Sequence, residues 1–495
     1  MIKQLHEKLI KKQISAKELA EDYLNRIKRM DPVNPDKSGH GAGLNAFITV
    51  TDKLVLEQAE NIDKLIAQDL DLPLLAGIPA SIKDVIMTNG IQTTAGSQIL
   101  KNYVAPYDAS LVKKLKEQGM VLLGKNNCDE FAMGGSGENS SFGPTKNPYD
   151  LTRVSGGSSG GSAVAVAADL SVYSIGTDTG GSVRQPAAFC GVVGFKPTYG
   201  AISRYGLIAM ASSLDQAGII AKCIEDVEIV FDCVKGKDRL DSTSLEFPIS
   251  NESFAFIPQN CGMSAEPPQF PNKSKNSNFK FKDFKVGVPR EYFIKGLNKE
   301  VEQAVKDVIK KAQELGAKII DVSLPNSEYA LAVYYIIMPS EASANLARYD
   351  GIRYGNSPRE KYFGDEVKRR IMLGAYALSA GYYNAYYKKA QQVRKLINMD
   401  FEKIFKEVDI LITPTTPSPA FKLGEKTADP LQMYLEDIFT VPVNVAGLPA
   451  ISMPCGKTKN NLPIGVQLIG KWLEDSKLLA VAKKIEDVVK YNNNN

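Results

Sequence analysis

Two glycine-framed serine clusters are the residues of this sequence best suited to nucleophilic chemistry. They read Ser155-Gly156-Gly157-Ser158-Ser159-Gly160-Gly161-Ser162 and Asp178-Thr179-Gly180-Gly181-Ser182-Val183-Arg184. Glycines permit sharp turns and leave backbone amides free to point at a ligand, which suits a serine nucleophile beside an oxyanion site. The proton acceptor is less obvious. The 495 residues include two histidines, His6 and His40, which fall on an apparently solvated helix and in a polar loop. A Ser-His-Asp triad does not fit that placement, so another group must take the serine proton. Lys83 is the best candidate, because it follows the strand-like run Gly77-Ile78-Pro79-Ala80-Ser81-Ile82. Burial there disfavours the charged amine and can bring a lysine from about 10.4 down toward neutrality, where it works as a base.

Each feature also has an ordinary meaning. A lone lysine is usually a solvated charge, and an isolated Gly/Ser segment is usually a flexible linker. Here the first cluster runs directly into Ala163-Val164-Ala165-Val166-Ala167-Ala168, the pattern of a close-packed helix. It lacks the Gly-Lys-Ser/Thr ending of a phosphate-binding loop. The second cluster follows Val172-Tyr173-Ser174-Ile175, giving strand, glycine turn and serine, with consecutive amides around Ser182.

The surrounding elements must position these groups. Residues 2–30 read as helical, with Ser15 and Glu18 forming a capping box that opens a second helix from Ala16 to Met30. A polar loop over 32–43 and a helix near 52–69 follow. A buried strand within 74–85 runs into Lys83. Helix 108–119 precedes the strand Val121-Leu122-Leu123, and the same helix-then-strand pattern recurs at 163–176, 298–323 and 398–412. That recurrence predicts an α/β protein with a mixed, mostly parallel central sheet. We divide the chain into an N-terminal helical region (1–70) and a catalytic domain (71–495). Residues 244–284, rich in Asn, Phe, Pro, Lys and Ser, read as a surface excursion, and 492–495 as a frayed tail.

Composition narrows the class. Hydrophobic content of 44% and charged content of 23% are those of a soluble globular protein. A net charge of +4 gives no case for tight nucleic-acid binding by this chain alone. No apolar run approaches the roughly 18–20 residues needed to cross a bilayer. The six cysteines form no Cys-x-x-Cys pair, which argues for free buried thiols and against a zinc site. The expectation is a reduced, cytoplasmic protein with no metal and no membrane attachment.

Taken together, the Lys83 strand, the Gly-Gly-Ser-Ser-Gly-Gly segment and Asp-Thr-Gly-Gly-Ser-x-Arg resemble the amidase signature family. The spacings agree, with 24 residues from Ser158 to Ser182 and 99 from Lys83 to Ser182. The resemblance implies the amidase-signature fold, its sheet covered by helices on both faces. It implies Ser182 as the acyl-forming nucleophile, Ser158 (after a cis peptide) as proton relay and Lys83 as base. It also implies an oxyanion hole from the amides of Thr179, Gly180, Gly181 and Ser182, with no cofactor held by this chain.

Within that family, residues 129–136, 194–200, 212–216, 366–374 and 437–444 are similar to the glutamine-hydrolysing subunits of tRNA-dependent amidotransferases. That implies Arg370 on the glutamine carboxylate, Asp437 on its ammonium and Tyr334 as a contributor to the pocket. A zwitterion does require one cation and one anion, although such residues are ordinarily helix-surface charges. The same resemblance implies a heterotrimer with subunits B and C. Ammonia would pass to a partner that uses ATP and Mg2+ to amidate misacylated Glu-tRNA(Gln) or Asp-tRNA(Asn), the tRNA being held mainly by that partner. The alternatives are a stand-alone amidase for small or aryl amides and a non-catalytic scaffold. For the tyrosine-rich segment 376–387, helical core packing is expected ahead of a partner surface. The 244–284 excursion looks longer than usual for the family, and the 354–364 connection shorter.

Overall fold

A computed structural model describes residues 1–32, 43–247, 281 and 284–493. His40, Cys261, most of the 32–43 loop and most of the 244–284 excursion lie outside the described residues, as do Asn494 and Asn495. The strands are β1 (Phe47–Val50), β2 (Pro79–Lys83), β3 (Val121–Asn126), β4 (Lys146–Asn147), β5 (Asp150–Val154), β6 (Tyr173–Asp178), β7 (Val193–Lys196), β8 (Gln216–Ala221), β9 (Lys285–Pro289), β10 (Lys318–Val322), β11 (Ile410–Pro414), β12 (Ala450–Lys457) and β13 (Pro463–Gly470). Eleven form one sheet in the order β1-β3-β2-β6-β8-β7-β12-β13-β11-β9-β10, and β4 pairs with β5.

The sheet is mixed, and its parallel ladders form two blocks. One is β3-β2-β6 and the other β11-β9-β10. Between the blocks β6, β8, β7, β12, β13 and β11 pair antiparallel, and β1 closes one edge antiparallel to β3. Helices lie on both faces, as period-2 alternation along β13 shows. A side chain added at Gly465 would meet Ala188 of helix Arg184–Cys190, whereas one at Gly470 would meet Leu478 of helix Asp475–Asn493.

Several expected elements occur where local chemistry placed them. The Ser15/Glu18 capping box is formed and opens helix Ala16–Met30. Helices Asp52–Ala67, Ser110–Glu117, Gly160–Ala167 and Lys299–Glu314 follow the predicted periodicity. Region 1–70 also supplies β1 to the main sheet. Two expectations need correction. Tyr376, Tyr382, Tyr383 and Tyr386 are 38–49% exposed rather than in a core. Residues 381–386 are exposed all round, so no periodic buried face exists. The rings instead pack on one another, Tyr376 against Tyr382 at 4.5 Å and Tyr383 against Tyr387 at 5.5 Å. Asn492 and Asn493, expected in a frayed tail, continue the last helix.

The parallel register is what builds the site. β2 and β6 pair as Ala80↔Tyr173, Ser81↔Ser174 and Ile82↔Ile175, so Lys83 and Asp178 emerge at the same sheet edge. Helix Gly160–Ala167 precedes β6 and packs on it and on β2, which brings Ser158 and Ser159 to that edge. Its small residues allow this approach: a side chain at Gly161 would collide with the Asn127 backbone.

The antiparallel middle carries much of the core. Phe195 of β7 is fully buried and meets Phe231 edge-on at 5.2 Å. Phe195→Ala is expected to cost about 3–5 kcal/mol, read as a lower urea midpoint of unfolding.

Candidate active site

Lys83 ends β2 with its amine wholly buried. Nζ lies 2.7 Å from Ser158 Oγ, 2.9 Å from Ser159 Oγ and 2.8 Å from Thr177 Oγ1, with the Thr177 carbonyl at 3.4 Å. Among the described residues no carboxylate forms an ion pair with it. Burial therefore dominates and pushes the amine down to about 8, opposed only by the more distant acids Asp129, Asp178 and Asp215 and by Cys128. The Gly157–Ser158 peptide is cis.

The Ser182 loop is held by Asp178. Its carboxylate accepts from the amides of Gly181 (2.9 Å), Val183 (3.2 Å) and Arg184 (3.4 Å), from Arg184 Nε (3.0 Å) and Nη2 (2.9 Å), and from Asn444 Nδ2 (2.9 Å). Burial alone raises this carboxyl, but Arg184 and the hydrogen bonds hold it well below the usual carboxylate range. The Ser182 carbonyl accepts from the Ser159 amide at 3.0 Å, which ties the two serine segments together. Ser158 is fully buried while Ser182 keeps 7% exposure.

Two glycines of this loop are sterically required. A side chain at Gly180 would stand 2.7 Å from the Tyr334 ring, and one at Gly181, whose φ is +131°, would overlap Thr440. The first serine segment is clamped similarly. Gln185 accepts from the Gly157 amide at 2.9 Å and donates to the Gly135 carbonyl at 2.6 Å. Asp129, raised by burial to about 6, accepts from the amides of Gly137 and Asn139 and packs against Gly157.

Beyond Tyr334 the structure brings Arg370 and Asp437 together as neighbours of one tyrosine cluster. Arg370, on helix Asp365–Leu378, is buried, with its guanidinium 5.5 Å and 5.6 Å from the Tyr335 and Tyr434 rings. Tyr335 donates to Asp437 Oδ2 at 3.4 Å, and a side chain at Gly135 would reach within 3.7 Å of the same carboxylate. Burial pushes Asp437 up to about 8, against the pull of Arg370. These two residues are thus not surface charges.

Lys83 meets Ser158 directly, Ser182 is tied to that segment through its carbonyl, Gly180 of the Ser182 loop lies against Tyr334, and Arg370 and Asp437 share the neighbouring tyrosines, but sequence reading missed their supports. Ser159, Thr177, Asp178 and Arg184 all lie in or beside the quoted motifs, and their pairing was the unread part. Tyr335 sits next to the predicted Tyr334. Glu366 opens the quoted segment 366–374 but was given no role there, and Tyr434 carried no local signal. Among the described residues no cluster of His, Cys, Asp and Glu could hold a metal ion, and no helix is long and apolar enough to cross a membrane. Cys128, Cys190, Cys223, Cys233 and Cys455 are free thiols, the first two and the last buried. His6 is half-buried on helix Ile2–Ile10, which carries none of the site residues.

The buried pair makes a testable demand. Arg184→Met should cost about 3–5 kcal/mol by leaving Asp178 charged and unpaired. Adding Asp178→Asn should return part of that loss in a double-mutant comparison of unfolding midpoints.

Comparisons with known proteins bear on the family. The family model described as Amidase matches residues 18–479. The A subunit of the glutamyl-tRNA(Gln) amidotransferase of Synechococcus sp. (strain JA-3-3Ab) is 50% identical, covering 98% of this chain and 91% of the relative. Its namesake from Carboxydothermus hydrogenoformans is 50% identical, covering 99% and 97%. The crystal structure of the A subunit of glutamyl-tRNA(Gln) amidotransferase from Thermotoga maritima superimposes with a TM-score of 0.75 at 42% identity, covering 95% and 91%. On the motifs, the geometry and these matches, the chain belongs to the amidase family.

Proposed function

We propose that this chain hydrolyses the side-chain amide of glutamine and releases ammonia for a partner subunit. The observation that carries this reading is the buried Lys83 amine, bonded only to hydroxyls and a carbonyl and 2.7 Å from Ser158. Ser159 donates its own proton to the Thr177 carbonyl at 3.0 Å, so toward Lys83 it acts as an acceptor. A neutral amine has two N–H bonds and one lone pair. Giving the N–H bonds to Ser159 and Thr177 leaves the lone pair for the Ser158 hydroxyl.

The reaction follows from that arrangement. Ser182 Oγ bonds to the glutamine amide carbon as its proton passes to Ser158, while Ser158 gives its proton to Lys83. The developing oxyanion is met by backbone amides, one such donor being worth roughly 3–4 kcal/mol. Of the four expected amides, that of Gly181 is spent on Asp178. We therefore assign the hole to Thr179, Gly180 and Ser182. The C–N bond then breaks, the proton returns through Ser158 to the leaving nitrogen, and ammonia departs. Water cleaves the Ser182 ester by the same proton path and frees glutamate.

Arg370 and Asp437 support glutamine as the substrate, because an α-amino acid brings a carboxylate and an ammonium to a buried cation and a buried carboxyl, whereas an uncharged amide brings neither. The names of the relatives support the wider assembly. In it, subunits B and C complete a heterotrimer, and a partner holding ATP and Mg2+ amidates Glu-tRNA(Gln), and Asp-tRNA(Asn) where it occurs. We place this in the cytoplasm, where free thiols stay reduced.

Ser182→Ala should abolish glutamine-dependent ammonia release, and full retention would contradict the nucleophile assignment. Lys83 and Asp437 are both protonated below about 8, so one cannot accept a proton and the other cannot pair with an ammonium. Accordingly kcat/KM for glutamine should rise with pH through about 8. A flat profile from pH 6.5 to 9 would contradict both assignments.

A further inference from the structure

Glu366 lies one helical turn before Arg370. Its Oε1 accepts from Arg370 Nε at 2.7 Å and from the Tyr434 hydroxyl at 3.0 Å, and Oε2 pairs with Arg369. The side chain is 11% exposed. Burial raises its carboxyl, but Arg370 and the hydrogen bonds hold it below the usual range, so it stays ionised. The Tyr434 ring stacks on Tyr335 with centroids 3.9 Å apart, and Tyr335 donates to Asp437. Glu366, the tyrosine stack and Asp437 thus form one continuous chain of contacts. Arg370 and Asp437 hang at its two ends.

This geometry does two things. Glu366 takes the Nε edge of the guanidinium, and Nη1 lies 3.6 Å from Met338 Sδ, so two contacts orient the buried guanidinium. Tyr434, fixed by the same oxygen, presses its ring on Tyr335 and sets where the Tyr335 hydroxyl meets Asp437. The distance between the cation and the anion is therefore built, and an α-amino acid carries its carboxylate and ammonium at one fixed separation.

We propose that Glu366 is a positioning residue that, through Arg370 and the Tyr434–Tyr335 stack, sets the preference for an α-amino-acid amide over an uncharged one. This rests on the assignment of Arg370 and Asp437 to the glutamine carboxylate and ammonium. Glu366 itself touches no reacting atom.

The test compares glutamine with butyramide, which shares the primary amide and lacks both charges. It uses the purified chain with whatever subunits copurify, and wild type, Glu366→Ala, Glu366→Gln and Tyr434→Phe. Loss of a charge-assisted hydrogen bond corresponds to about 10- to 100-fold. Glu366→Ala should raise KM for glutamine by about that factor, with kcat for glutamine and kcat/KM for butyramide changing far less. Glu366→Gln keeps an acceptor at Oε1 and should recover most of the loss. Tyr434→Phe, which keeps the stack and loses one hydroxyl, should give a smaller rise in KM. If Glu366→Ala does not fold, the last two variants carry the comparison. An equal loss on both substrates, or an unchanged KM for glutamine, overturns the positioning role. A wild-type enzyme that prefers butyramide overturns the substrate assignment instead.

Discussion

The site depends on keeping a primary amine out of water without giving it a carboxylate to pair with. Charged amines are strongly solvated, and burial without a counter-ion favours the neutral form. At Lys83 three hydroxyls and a carbonyl satisfy the hydrogen bonds of the amine without fixing its charge. The contrast with Arg184 is informative. That guanidinium is equally buried but pairs with Asp178 at 2.9 Å, and it serves as a fixed brace. One cation is left able to exchange a proton and the other is not.

Backbone placement follows from the same logic. The parallel pairing of β2 with β6 delivers Lys83 and the Ser182 loop to one edge, and the Asp178–Arg184 pair holds that loop in shape. Glycines at 180 and 181 let Tyr334 and Thr440 approach the loop more closely than any side chain there would allow. The Ser182 loop and the tyrosine cluster are therefore mechanically joined: the same Gly180 that lies two residues before Ser182 rests on Tyr334, the first tyrosine of that cluster.

Much of this was legible in the sequence where the signal is local. The Ser15 capping box, the strand ending at Lys83 and the small-residue helix after Ser162 are read from neighbouring residues alone. The antiparallel middle of the sheet was not, because β7, β8, β12 and β13 are wholly or largely buried and show no alternation. Glu366 and Tyr434 were missed because the contact between them joins residues 68 positions apart. Their neighbours give each the look of a surface charge and a loop aromatic. The tyrosines near 382 misled for the opposite reason: aromatic content suggested a core, but Tyr376, Tyr382, Tyr383 and Tyr386 are exposed and stack among themselves, and Tyr387 alone of the segment's tyrosines packs on the core.

The most direct measurement is titration of the Lys83 side chain itself, by NMR of the chain with isotope-labelled lysine and assignment by Lys83→Arg. The account predicts a midpoint near 8, the value that burial without a carboxylate gives this amine. A midpoint at the ordinary lysine value of about 10.4 would contradict it, because under about a thousandth of the amine would then be neutral at pH 7, against about a tenth for a midpoint near 8.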